Sequence, residues 1–206
     1  MIKNYFRHLK TVLHHKNLVL LYSFKVGIPL QGIMHDLSKF RPSEFNLSVK
    51  YFQGFETPCL KERRENNNYS MIAVTHTNRN KHHFEYWVDI LKGNLILRKI
   101  PFKYCLEYCI DGISASKTYS QKSFTSSMPL DYFSSRKDRY LMHPASKEFI
   151  LKTYELFKES GFKNIKKSKL KSLYKIVNEK YPETYEVKIN LDTSLLPIVN
   201  EKKDPL

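Results

Sequence analysis

Cysteine is scarce. Cys59, Cys105 and Cys109 are an odd number in no metal-ligand spacing, so neither a disulfide framework nor a zinc knuckle is expected. Cys105 and Cys109 lie one helical turn apart and read as small apolar residues. Long apolar runs are missing too: the longest, Leu18 to Tyr22, is far too short to cross a bilayer. Lys3, Arg7 and Lys10 give a basic N-terminus with no apolar stretch and no small-residue cleavage site behind it. No secretory leader is read there, and a cytoplasmic location is expected. Six glycines and few alternating apolar and polar runs argue against a sheet, whereas apolar residues at three- and four-residue spacing recur along most of the chain. The expected fold is all-α.

Positive charge is plentiful: 35 Lys and Arg against 20 Asp and Glu give +15, which attracts phosphates and polyanions. Between Lys158 and Lys180, Lys158, Lys163, Lys166, Lys167, Lys169, Lys171, Lys175 and Lys180 face only Glu159 and Glu179. That run reads as a solvated helix face or as a nucleic-acid contact.

Helical periodicity and breakers divide the chain. A first helix runs from about Lys3 to Val26, with Val12, His15, Val19, Tyr22 and Val26 on one stripe, and Gly27 and Pro29 end it. A short second helix covers Leu30 to Lys39, and Pro42 opens a third to Tyr51. Phe52 to Asn68 reads as a charged loop, and helices are expected over Tyr69 to Thr77 and Lys81 to Lys92. Pro101 opens a helix through Lys117; a Ser-rich stretch, Ser114 to Ser127, separates it from a short segment at Leu130 to Ser135. Pro144 opens the next helix, ending at Gly161, and a basic helix covers Ser168 to Lys180. After Pro182 the tail has no amphipathic period and reads as loose or docked as an extended strand. The chain thus divides into a helical metal-binding unit, 1–160, and a basic helix with a tail, 161–206.

Eight histidines are present, and their placement suggests a metal: His14 with His15, His35 beside Asp36, His76, and His82 with His83. Imidazoles and carboxylates from several helices of a bundle converge on its interior and suit Zn, Mn, Fe, Co or Ni, as one ion or two. His15 is preferred to His14 because it shares the apolar stripe. Asp36 has oxygens enough to bridge two ions. Asp111 sits on a helix face with Tyr104, Tyr108 and Ala115, where an unpaired carboxylate is costly and a cation would satisfy it.

The ordered set His15, His35-Asp36 and Asp111, on separate helices, resembles the HD superfamily of metal-dependent phosphohydrolases. His76, His82 and His83 resemble the additional histidines of HD branches that bind a second metal. The blocks Gly32 to Phe45, Arg79 to Trp87, Asp111 to Lys117 and Leu141 to Pro144 are similar to an uncharacterised family of bacterial and phage proteins, over roughly residues 5–155. The resemblance implies an HD-like helical bundle and hydrolysis of a nucleotide or other small phosphate ester by metal-activated water.

The expected metal ligands are His15, His35, Asp36, His76, His83 and Asp111. One of His82 and His83 is read as ligand and the other as a substrate contact, with His83 preferred as ligand. Lys39, Arg79 and Asn80 are candidates to hold phosphate, with Asp36, Lys39 and Arg79 acting in catalysis. Glu44 is a general base if it turns toward the metal. His8 is expected at the surface, and His143, before Pro144, reads as structural. Two rival readings stay open: a two-iron oxygen-activating protein on the same ligands, and a non-catalytic nucleic-acid-binding module acting through the basic C-terminal helix.

Overall fold

The computed structural model describes residues 2–189. Among them the protein is predominantly α-helical: α1 (Ile2–Val26), α2 (Pro29–Met34), α3 (Pro42–Tyr51), α4 (Pro58–Glu65), α5 (Met71–Arg79), α6 (Phe102–Ser120), α7 (Met128–Ser134), α8 (Pro144–Ser160) and α9 (Lys167–Asn178). A small antiparallel sheet is set beside them, with β1 (Val88–Leu91), β2 (Asn94–Arg98) and β3 (Thr184–Val187) in that spatial order. No helix among the described residues is long and apolar enough to cross a membrane.

Helix α1 buries His8, Val12, His15, Val19, Tyr22, Ser23 and Val26, a stripe at three- and four-residue steps that places two imidazoles on the same face as the aliphatic core. Gly27, at φ +88°, ends the helix by donating its N–H to Ser23 O and Phe24 O. Pro29 then starts α2, whose Gly32 crosses α1 so closely that a Cβ there would lie 2.6 Å from Ser23 Cβ and 3.1 Å from Leu20 Cα. This close crossing sets where the chain following α2 must lie.

The central layer is α1, α6 and α8, with Val19, Leu106, Cys109, Ile110, Ile113, Phe149 and Ile150 in one cluster. Ile165, Leu170 and Val177 belong to the same cluster, so α9 buries its apolar stripe while its lysines remain exposed. His143 accepts from Ala145 N at the start of α8, the structural role expected of it. The three cysteines are free.

Several segments depart from the periodicity. Lys81 to Lys92 is not a helix: Phe84–Trp87 form a 3-10 turn and Val88–Leu91 a strand. Lys92 and Gly93, both at positive φ, make the tight turn that pairs β1 with β2, and a hairpin outcompetes a helix for so short an apolar run. Thr57 caps α4 through Cys59 N inside what reads as a loop, because charged residues hide its single buried face at Glu62. The stretch after Pro182 does dock as a strand over Thr184–Val187, with Leu95 opposite Val187 and Leu97 opposite Tyr185. The remainder of the tail lies outside the described residues.

Candidate metal centre

The His35-Asp36 pair does not sit inside a helix. Helix α2 stops at Met34; His35 is extended, at φ −52° and ψ 127°, and Asp36 takes a left-handed conformation at φ 51° before a 3-10 turn over Leu37–Phe40. A continuous helix would splay the two side chains about 100° apart. The break aims both at one point. A left-handed non-glycine residue costs on the order of 1 kcal/mol, which the surrounding contacts must offset. Lys16 contributes to that: its ammonium donates to Ile33 O at 2.9 Å and His35 O at 2.8 Å, closing the C-terminal end of α2.

Around Asp36 the imidazoles present their Nε2 atoms. His35 Nε2 lies 3.3 Å from Asp36 Oδ2 and 3.5 Å from Asp111 Oδ1. His15 Nε2 lies 3.0 Å from Asp111 Oδ1. His76 Nε2 and His82 Nε2 lie 3.4 and 3.5 Å from Asp36 Oδ1. Two groups of donors result, each within 4.8 Å throughout: His15, His35, Asp36 and Asp111, and Asp36, His76, His82 and His83. Asp36 belongs to both.

The far side of three rings is held by carboxylates. Glu107 Oε1 meets His35 Nδ1 at 3.0 Å and His82 Nδ1 at 3.3 Å, and Glu44 Oε1 meets His76 Nδ1 at 2.7 Å. An Nδ1–H donated to a carboxylate leaves the Nε2 lone pair free for a cation, the arrangement that orients and strengthens metal-binding histidines. His35, His82 and Glu107 also form a third close group, but its Nδ1 atoms are already committed to Glu107, so it is the outer layer of the other two.

Buried polar atoms without a hydrogen-bond partner mark the same point: Nε2 of His15, His35, His82 and His83, and Asp36 Oδ1. Leaving so many buried donors and acceptors unpaired costs about 1–3 kcal/mol each. A shared cation satisfies them together. The residues present therefore fit one or two metal ions.

Charge is distributed unevenly among these groups. Burial opposes the imidazolium of His35, yet Asp36, Asp111 and Glu107 outweigh it and hold this pKa well above the usual value. Burial likewise opposes ionised Asp36, but His35, Lys39 and His76 draw its pKa well below the carboxylate range. Asp111 is lowered against burial by His15 and His35. Burial lowers His15 and His83 in the other direction, toward the neutral form that a metal requires.

All six expected ligands thus meet at one place, and His82 joins them beside His83. Lys39 stands 2.6 Å from Asp36 Oδ2, off hydrogen-bond geometry, and lines the adjoining cavity. Arg79 and Asn80 do not reach the cavities. Arg79 turns to Ser43 Oγ at 3.4 Å and Glu44 Oε2 at 3.9 Å, while Asn80 donates to His76 O and Ser38 Oγ and ties α5 to the 3-10 turn. Glu44 gives Oε1 to His76, while its Oε2 has no hydrogen-bond partner and the side chain lines the adjoining cavity. His8 is buried, contrary to expectation, because Phe45 and Phe52 of α3 and its following loop close over it at about 5 Å. Glu107 carries no histidine to mark it; the available signal is its place one turn before the half-buried Asp111, two carboxylates on one side of α6.

A model described as a family of unknown function (DUF5662) matches residues 4–156. No curated protein matches the chain, and no solved structure does.

Proposed function

The chain belongs to that family, which brings no activity with it, and from the site alone we propose that it is a divalent-metal phosphohydrolase of HD-like design acting on a small phosphate ester. The observation that carries this reading is Asp36, a buried carboxylate common to two histidine-rich donor groups with its own Oδ1 unpartnered. Bound there, divalent ions supply Lewis acidity toward a phosphoryl oxygen and make water acidic enough to attack near neutral pH.

The chain's own residues do the rest. His15, His35 and Asp111 would hold one ion and His76, His82 and His83 a second, with Asp36 common to both groups. Glu107, behind His35 and His82, and Glu44, behind His76, would keep the Nε2 atoms of these rings turned toward the ions. Lys39 faces a cavity of about 300 Å³ lined also by His8, His15 and Glu44. Its ammonium, kept charged by Asp36 despite desolvation, is the group placed to neutralise charge building on a phosphoryl oxygen.

Elemental analysis of the purified protein, followed by a phosphatase and phosphodiesterase panel with the metal found, tests this. Mn, Fe, Co, Ni or Zn is expected, with His35→Ala and Asp36→Ala each losing both metal and turnover. Full metal retention in both variants removes the reading.

A further inference from the structure

Two cavities adjoin at Asp111 and His83, which line both, and their walls differ in kind. The smaller, about 300 Å³, is lined by Lys39 with His8, His15, His76 and His83. The larger, about 780 Å³, is walled by Phe84, Tyr108, Tyr119, Tyr132, Tyr140 and Tyr154. Among the described residues no lysine or arginine lines it, while Glu56, Glu85 and Asp131 do. Arg64 compensates Glu56. Glu85 stands where the two cavities meet and Asp131 on the exposed side.

In a protein with a net charge of +15, a large cavity beside a phosphate-directed site that is free of basic side chains is a specificity statement. A second phosphate placed there would meet the carboxylates of the lining, while the cations at the wall are already engaged, Arg64 with Glu56 and Arg136 over the ring of Tyr132; like charges at close range exclude as strongly as opposite ones attract. Aromatic walls instead cover the faces of a ring. The volume falls in the range of sites that enclose a small organic molecule, and it exceeds what a phosphoryl group alone would fill.

We propose that the larger cavity holds the organic part of the substrate and that this part is ring-bearing and carries no negative charge of its own: the substrate is a phosphomonoester of an aromatic or heterocyclic alcohol, not a polyphosphate. The proposal rests on the phosphohydrolase reading for what happens at the phosphoryl end. There the P–O bond to the alcohol breaks, a P–O bond to water oxygen forms, and the proton released by water ends on the alcohol.

Binding separates the two ideas. Calorimetric titration of the metal-loaded protein with 2-phenylethylphosphonate and with ethylphosphonate compares the same headgroup with and without a ring. At least ten-fold tighter binding of the ring compound is expected, a modest figure for burying a phenyl group. Adenosine monophosphate should bind more tightly than adenosine triphosphate. Tyr132→Ala, at a residue 57% exposed and outside the core, should shrink the ring preference several-fold. Equal affinity for the two phosphonates, no binding of either, or a preference for the triphosphate overturns the proposal. The ring preference together with no turnover of 2-phenylethyl phosphate supports the proposal while removing the hydrolase reading alone.

Discussion

Replacing Glu107 by glutamine keeps the shape of the side chain and removes its charge. One oxygen of Glu107 serves two imidazoles, His35 at 3.0 Å and His82 at 3.3 Å, and these belong to different donor groups. A hydrogen bond to a charged acceptor is worth about 1.5–3 kcal/mol and a neutral one about 1 kcal/mol. Each imidazole therefore loses about 1 kcal/mol of orientation, or roughly five-fold in the affinity of the ion it faces. Both positions should weaken by about five-fold each, below the roughly ten- to hundred-fold typical of losing an outer partner outright because glutamine still accepts a hydrogen bond. Glu44 offers the internal control, because it touches His76 alone among the ligands. Glu44→Gln should weaken one position and spare the other. Competition against a fluorescent chelator, with ions counted by elemental analysis, reads both constants. If Glu107→Gln leaves both unchanged, or if Glu44→Gln weakens both equally, the assignment of these carboxylates to the rear of the imidazoles is wrong.

Acid should destabilise the metal-free protein earlier than its carboxylates alone dictate. Burial holds His8 down to about 4 and also lowers His15 and His83; such groups stabilise above pH 6.5 and lose that contribution, about 1.4 kcal/mol per pH unit each, as pH falls toward the folded value. Asp36 and Asp111, being lowered, add their own loss only below about pH 4. His35, being raised, contributes fully below pH 6.5 and loses that contribution as pH rises. Urea midpoints from pH 4 to 8 should therefore peak near pH 7, and His8→Phe should flatten the acid limb; a flat profile down to pH 5 would contradict the burial of these imidazoles. Stripping metal with a chelator should lower the melting temperature, and readdition should restore it, since the ion binds only the folded site; an unchanged melting curve argues against a buried ion. Gly32→Ala should cost about 1–3 kcal/mol by forcing α2 away from α1, and metal affinity should fall with it because His35 and Asp36 follow directly; denaturant midpoints and chelator competition check the two effects separately.

Much of the helical content was legible because its signals are local. The stripe on α1 separates His15 from its neighbour His14, and Pro42 and Pro144 mark the starts of α3 and α8, whereas Pro58 at the first turn of α4 lies in a stretch that reads as a loop. Where the reading failed, local signals were outweighed. Val88–Leu91 is apolar enough for either a helix or a strand, and the positive-φ pair Lys92 and Gly93 decides for a hairpin that β3, almost ninety residues later, completes. His8 sits one stripe position from the helix start and looks exposed until Phe45 and Phe52 arrive from elsewhere in the chain.

By itself the sequence determined that this protein is helical, strongly basic, and supplied with imidazoles and acidic side chains on inward helix faces, because three- and four-residue periodicity and residue chemistry act over a few turns of chain. Which of them share a cation-sized point was decided only in three dimensions. Asp36 and Asp111 are 75 residues apart, and no local rule measures that distance; it depends on a left-handed break after α2, on the close crossing at Gly32, and on α6 presenting Glu107 and Asp111 one turn apart toward the site.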